Sequence, residues 1–209
     1  MRAVVFDLDG VLVDSIRVAC AAFAHAYAAV VGPGEPPFDE YCRYLGWLFA
    51  DIMRAMGLPP EMEAPFVAES ARRSGEVEVF AGVPAMLERL GAQGLGIGVA
   101  TGKTGDRARR LLDATGLSAR IDTVVGGDEV PRAKPAPDIM HAVLHRLGAA
   151  PEAAVAVGDA PADIESARAA GVRAVAATWN GRPTTSLLDA RPDEVAASPD
   201  DVVVLCGVG

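Results

Sequence analysis

Ala3-Val4-Val5-Phe6-Asp7-Leu8-Asp9-Gly10-Val11-Leu12-Val13-Asp14 is the stretch that decides the fold. The apolar run Ala3 to Phe6 reads as a buried strand. It ends abruptly in two carboxylates with one residue between them, followed by a glycine. If the chain turns at this point, both acids can converge, and Gly10 supplies the freedom to turn. A buried strand that ends in converging carboxylates is costly unless a metal or a proton neutralises them. The pattern points to metal-assisted chemistry at the carboxyl end of a strand, where open α/β sheets bind ligands.

Downstream, from about Val79, short apolar runs alternate with helical stretches. Strands are predicted at Leu95–Ala100, Asp122–Val125, Ala153–Val157 and Arg173–Ala177. Helices are predicted at Asp106–Ala114, Pro137–Leu147 and Ile164–Ala170. This alternation implies βαβ units and a parallel, Rossmann-like α/β sheet. Right-handed crossovers then bring the carboxyl ends of all the strands to one edge. After Gly181 the chain reads as an irregular return, with a short final strand near Val202–Leu205.

Residues 15–75 break the alternation. They hold no convincing strand but three helical segments: Ser15–Val31, a stretch around Asp39–Met56, and Glu61–Ser74. Gly32-Pro33-Gly34, Pro36-Pro37 and Leu58-Pro59-Pro60 separate them. A helical block inserted after the first strand reads as a cap over the active edge. The division expected is a core of residues 1–14 and 76–209, with an α-helical cap of residues 15–75.

Composition bounds the partners. The 209 residues are 51% hydrophobic but only 5% aromatic, so a substantial core must be built mostly from Ala, Val and Leu. The net charge of −9 argues against a nucleic-acid backbone as principal partner. A phosphorylated small molecule stays compatible, because a bound Mg²⁺ and one or two cations reverse the local field. Cys20, Cys42 and Cys206 are scattered, odd in number and without a C-x-x-C pair, which suits a reducing cytoplasm. Asp7 and Asp9 interrupt the apolar start, unlike a secretory signal. Val18 to Val31 is too short for a membrane span and contains His25. Oligomeric state is not legible.

Three other strand ends carry polar groups. Ile97-Gly98-Val99-Ala100-Thr101 ends in a hydroxyl. Asp128 to Pro137 places Lys134 just before a proline-rich helix start. Gly158-Asp159 closes another strand, and Asp163 follows four residues later. Together with Asp7 and Asp9 these loops gather three or four carboxylates, a hydroxyl and an ammonium. Phosphoryl transfer uses such a set. A carboxylate can attack phosphorus, and oxygen ligands suit Mg²⁺. A lysine and a hydroxyl can hold phosphoryl oxygens, while a second carboxyl group moves protons.

In order and spacing, Asp7-Leu8-Asp9-Gly10-Val11, Thr101, Lys134 and Gly158-Asp159-x-x-x-Asp163 resemble the four motifs of the haloacid dehalogenase-like hydrolases. The resemblance spans nearly the whole chain, and phosphoglycolate phosphatase-like members are the nearest in pattern. It implies Asp7 as nucleophile and metal ligand. It implies Asp9 as general acid/base, with its backbone carbonyl on the metal. Thr101, Gly102 and Lys134 would bind the phosphoryl group, Asp159 would ligate Mg²⁺, and Asp163 would support it. Dehalogenating members lack an acid at the position of Asp9, so its presence implies phosphate chemistry. Glu35-Pro36-Pro37-Phe38 with Tyr44-Leu45-Gly46, and Asp51-Ile52-Met53 with Met56-Gly57-Leu58-Pro59, are similar to a narrower group. These are the phosphatases associated with 3-amino-5-hydroxybenzoate biosynthesis, which implies an amino-sugar phosphate or related antibiotic precursor as substrate.

Blander readings fail on particular residues. Thr101-Gly102-Lys103-Thr104 tempts a P-loop reading, but Ile97 stands where its first glycine belongs. Lys103 and Thr104 read instead as a helix start. His141 and His145, four apart, read as a solvated helix face. Arg43 and Trp47 flank the Leu45-Gly46 turn and are the candidate substrate-reading side chains of the cap. The function expected is a Mg²⁺-dependent phosphatase for a small phosphorylated metabolite. The alternatives are a phosphomutase resembling β-phosphoglucomutase and a catalytically silent binding protein on the same fold.

Overall fold

The apolar runs of this chain are short and uninterrupted because both faces of the sheet they build are covered. The computed structural model describes residues 1–181 and 185–207. Strand β1 (Ala3–Phe6) is followed by the short strand β2 (Val13–Asp14). Four helices come next: α1 (Ile16–Val30), α2 (Phe38–Arg43), α3 (Phe49–Ala55) and α4 (Glu63–Arg72). Strand β3 (Glu78–Val79) closes this segment. The chain then alternates through α5 (Val83–Ala92), β4 (Gly96–Thr101), α6 (Gly105–Ala114), β5 (Thr123–Gly126), α7 (Asp138–Leu147) and β6 (Ala154–Gly158). It ends with α8 (Pro161–Ala169), β7 (Arg173–Ala177), α9 (Thr185–Asp189), β8 (Glu194–Ala196) and α10 (Pro199–Leu205).

Among the described residues the main sheet has six strands in the order β5-β4-β1-β6-β7-β8. Every neighbouring pair is parallel. The strand order reverses at β1, which lies between β4 and β6, so ligand chemistry belongs at its carboxyl end. Side-chain alternation divides the core. Val4, Phe6, Val155, Val157 and Val175 face a cluster with Leu87 and Leu90 of α5, Leu112 of α6 and Val202 of α10. Ala3, Val5, Ala154, Ala156, Ala174 and Ala176 face Ile139 and Val143 of α7 and Ile164 of α8. The second face of β6 and β7 is thus lined by alanine, which lets α7 and α8 lie close to the sheet.

A third apolar cluster is built within α1–α4 and the turns between them. Phe23 stacks on Tyr41 at 4.3 Å between ring centroids, and Phe49 on Phe66 at 3.9 Å. Ala22, Ala26, Ile52, Met53 and Met62 fill the space around them. β2 and β3 pair antiparallel, Val13 opposite Val79 and Asp14 opposite Glu78. The chain therefore enters and leaves the helical unit along one two-stranded ribbon.

The predicted strands and helices of the alternating region occur within three residues of their expected ends. The tail differs. Val202–Leu205, expected as a strand, lies in helix α10, and the last strand is Glu194–Ala196. The caps outweigh the β preference of three valines in a row. The Ser198 hydroxyl accepts from the Asp201 amide, the Asp201 carboxylate accepts from the Ser198 amide, and Pro199 sits in the first turn. Part of the irregular return, residues 182–184, lies outside the described residues. No helix among those described is long and apolar enough to cross a membrane.

Candidate active site

Asp7 is the residue at which β1 stops. Its amide still donates to the Val157 carbonyl of β6 at 2.9 Å, so its position is fixed by the sheet itself. The chain then turns: the Leu12 and Val13 amides donate back to the Leu8 carbonyl, and the Gly10 amide donates to the Val13 carbonyl. Gly10 adopts a positive φ of 82°. A Cβ there would lie 2.1 Å from Asp159 Oδ2, so glycine serves both the turn and the approach of the carboxylate.

Asp7, Asp159 and Asp163 converge below this turn. Each is buried, and each offers an oxygen within 4.8 Å of the others. Lys134, 2% exposed, is held among them. Its ammonium donates to Asp7 Oδ1 at 2.8 Å and to Asp163 Oδ1 at 2.6 Å. Asp163 is set by the first turn of α8, where its other oxygen accepts from the Asp159 and Ala160 amides at 3.1 and 3.0 Å. A helix N-terminus favours such an anion. Asn180, just beyond β7, donates to Asp159 Oδ2 at 2.7 Å and to the Gly10 carbonyl at 3.0 Å.

The balance of charge is unusual. Three carboxylates share one ammonium, and burial is the dominant influence on Asp7. It pushes the Asp7 carboxyl up to about 7 against the pull of Lys134, with Asp163 and Asp9 adding to the rise. Lys134 is itself driven upward: burial opposes its charge, but Asp163 and Asp7 outweigh that. Oxygen donors alone, closely spaced and two positive charges short, are the donor set that a small hard divalent cation satisfies. The residues therefore fit Mg²⁺, which Asp7, Asp159 and Asp163 have the oxygen atoms to hold.

Asp9 has a different environment. Its carboxylate accepts from the Lys103 ammonium and the Ser15 hydroxyl rather than joining the cluster. Burial works against its charge, but Lys103 and Ser15 prevail and hold it below the ordinary carboxylate range. Thr101, at the end of β4, is buried and its hydroxyl accepts from the Lys103 amide at 3.2 Å. Gly102 lies under the helical unit. A Cβ on it would stand 2.4 Å from the Gly46 carbonyl oxygen and 2.5 Å from that of Trp47.

A cavity opens between the sheet edge and the helical unit. Asp7, Asp9, Thr101, Gly102 and Asp159 line its floor, and Tyr41, Trp47, Phe49 and Phe66 line the opposite wall. Trp47 is thus at the cavity. Arg43, at the end of α2, is exposed and is not among its lining residues; the guanidinium there belongs to Arg107. Lys103, Arg107 and Asn180 escaped the sequence reading. For Lys103 a signal existed, since it lies two residues past a strand end on the carboxylate edge. His141 and His145 are exposed on α7, away from the site.

The sequence model of the family described as haloacid dehalogenase-like hydrolase matches residues 4–177. A phosphoglycolate phosphatase of Rhodospirillum rubrum is 34% identical, over 89% of this chain and 84% of its own length. One of Synechococcus elongatus is 31% identical, over 97% of this chain and 96% of its own. A hydrolase from Pseudomonas syringae shares the fold with a TM-score of 0.89 at 24% identity, over 99% of this chain and 98% of its own.

Proposed function

We propose, since this chain belongs to the haloacid dehalogenase-like hydrolases, that it is a Mg²⁺-dependent phosphatase acting on a small phosphorylated metabolite through an aspartyl-phosphate intermediate. The observation that supports this most is the buried convergence of Asp7, Asp159 and Asp163 around Lys134. A merely structural core would not accumulate carboxylates in excess of cations.

In this reading a carboxylate oxygen of Asp7 bonds to phosphorus as the bond from phosphorus to the leaving oxygen breaks. Asp9 gives its proton to that oxygen. It then takes a proton from the water that attacks the phosphorus of the acyl phosphate, which releases inorganic phosphate and restores Asp7. Lys134, bridging Asp7 and Asp163, keeps the nucleophile aimed. With Thr101 and Gly102 it faces the phosphoryl oxygens. Mg²⁺, when bound by Asp7, Asp159 and the Asp9 carbonyl, offsets the repulsion between the carboxylate and the phosphoryl group. Lys103 holds Asp9 as the carboxylate, so the protonated form requires that Lys103 be drawn away; an incoming phosphoryl group is the anion that does so.

The finer reading of the substrate, an amino-sugar phosphate or related precursor of an aminohydroxybenzoate, rests on the resemblance of the segments around Glu35, Tyr44 and Asp51. The relatives' names make 2-phosphoglycolate the other compound to test. Phosphate release from 4-nitrophenyl phosphate, with Mg²⁺ and with chelator, tests the reaction. A panel of phosphoglycolate, sugar phosphates and amino-sugar phosphates tests the substrate. Equal turnover in excess chelator, or by the D7N variant, contradicts the assigned roles.

A further inference from the structure

We propose that Arg107 is a specificity-determining residue that receives a carboxylate carried on the leaving group of the substrate. This rests on the phosphatase reading above.

Arg107 stands in the first turn of α6 and lines the same cavity as Asp7. Its guanidinium lies 5.4 Å from the centroid of the Phe66 ring, and one nitrogen donates to the Ser70 hydroxyl at 3.3 Å. The other cations at the site are committed: Lys134 to Asp7 and Asp163, Lys103 to Asp9. Among the described residues no carboxylate forms an ion pair with Arg107. A guanidinium offers five donors, and one neutral hydroxyl leaves most of them to water or a ligand. Burial weakens its hold on its proton, although the charge of Asp9 nearby supports it. It stays charged all the same.

Its place in the helix sharpens the point. The N-terminal turn of a helix already carries positive field, so a cation there does nothing for α6. Field and guanidinium together favour an anion in the cavity. A carboxylate matches the planar fork of one arginine in both geometry and charge. A second phosphoryl group, with nearly twice the charge, would want a second cation, and Lys103 is taken, by Asp9 in the free site and by the transferred phosphoryl group in the mechanism above. Tyr41, Phe49 and Phe66 line the same cavity as Asp7 and Arg107. The site therefore suits a molecule with a phosphoryl group at Asp7, a compact apolar body, and a carboxylate at Arg107.

The alternative is that Arg107 merely ties α6 to α4 through Ser70 and Phe66. Substrate ratios separate the two. The full chain with Mg²⁺ is assayed on two matched pairs: ethyl phosphate against 2-phosphoglycolate, and phenyl phosphate against 3-carboxyphenyl phosphate. The parent is expected to favour the carboxylate in at least one pair by tenfold or more in kcat/KM. R107M should bring that ratio to about one, and R107K should keep part of it. A structural role would lower both members alike and leave the ratio intact. A parent ratio near one in both pairs, a ratio that survives R107M, or a preference for a bisphosphate over the carboxylate overturns the proposal. If no phosphate ester is hydrolysed, the phosphatase reading has failed, and binding decides the role of Arg107. Calorimetric titration of the D7N chain with Mg²⁺, with and without R107M, should show 2-phosphoglycolate bound tighter than ethyl phosphate only where Arg107 is present. Equal affinities overturn the inference.

Discussion

Asp7 is held in two opposed ways, and each yields a test. Its folded-state carboxyl is raised from 3.8 to about 7, chiefly by burial. The folded chain thus binds a proton that the unfolded chain has released. The penalty is absent below the unfolded value, grows as pH rises toward 7, and is complete above it. At about 1.4 kcal/mol per unit it amounts to a few kcal/mol. D7N removes the charge and keeps the shape. It should abolish turnover and raise the metal-free melting temperature at pH 8 by several degrees, with a smaller gain at pH 5. Melting curves at the two pH values check this; an equal gain at both refutes burial as the cause. K134M should do the reverse. Removing the ammonium leaves buried carboxylates without their partner, at a cost of about 3–5 kcal/mol. With Lys134 gone the Asp7 carboxyl rises further, so the loss should be larger at pH 8 than at pH 5 in urea unfolding with chelator present. Asp7 and Asp159 were legible because each directly follows a strand, Asp163 because it stands four residues past Asp159, and Lys134 because it precedes a proline-rich helix start. Lys103 was passed over although it lies two residues past the end of β4, because Lys103-Thr104 also reads as an ordinary helix start. Arg107 was passed over too, since its sequence neighbourhood, Asp106 to Arg110, reads as an ordinary charged helix.

Elements were legible where pattern and termini agreed. β1, β4, β6 and β7 are apolar runs closed by polar residues, and the sheet buries both of their faces. α10 misled because its composition and its caps disagree. Three successive valines favour a strand, yet Ser198, Pro199 and Asp201 impose a helix start. Val202 and Val203 then face the core while Val204 is 70% exposed, a helical rather than an alternating pattern. S198A should therefore cost about 1 kcal/mol, the usual worth of an N-cap. Denaturant unfolding measures it. No change in the midpoint would mean that burial of Val202 and Val203, not the cap, holds the helix. The segment around Asp39–Met56 was legible only in part: it is two helices, α2 and α3, divided by the turn through Gly46, whose φ is 95°.

At the scale of the molecule, two bodies of packing meet over one edge of one sheet. Each has its own apolar cluster, and the ribbon of β2 with β3 carries the chain between them. Paired short linkers of this kind can act as a hinge, and closure over the floor of the cavity would exclude water from the acyl phosphate of the proposed reaction. At Gly102 the contact between the two bodies is backbone on backbone: the Gly46 and Trp47 carbonyls lie against the place where a side chain on Gly102 would stand. Gly102 does not adopt a left-handed conformation, so alanine there strains nothing in its own turn. G102A perturbs the contact between the two bodies, and because Gly102 also faces the phosphoryl group, the fluorescence of Trp47 must change along with turnover for the contact to be the cause. Neither apolar cluster loses an atom, so the melting temperature should stay near the parent's. The Gly46-Trp47 turn must lift by about an ångström or more to restore an ordinary contact distance. A displacement of that size is enough to cost about a hundredfold in a positioned reaction. The expected result is a fall of tenfold or more in kcat/KM for every ester tested, carboxylate-bearing or not. Tryptophan fluorescence should change too, since Trp47 lines the cavity. Parent-like turnover with parent-like fluorescence would show that the turn need not seat on Gly102 for catalysis. The hinge would then have to be sought elsewhere along the ribbon.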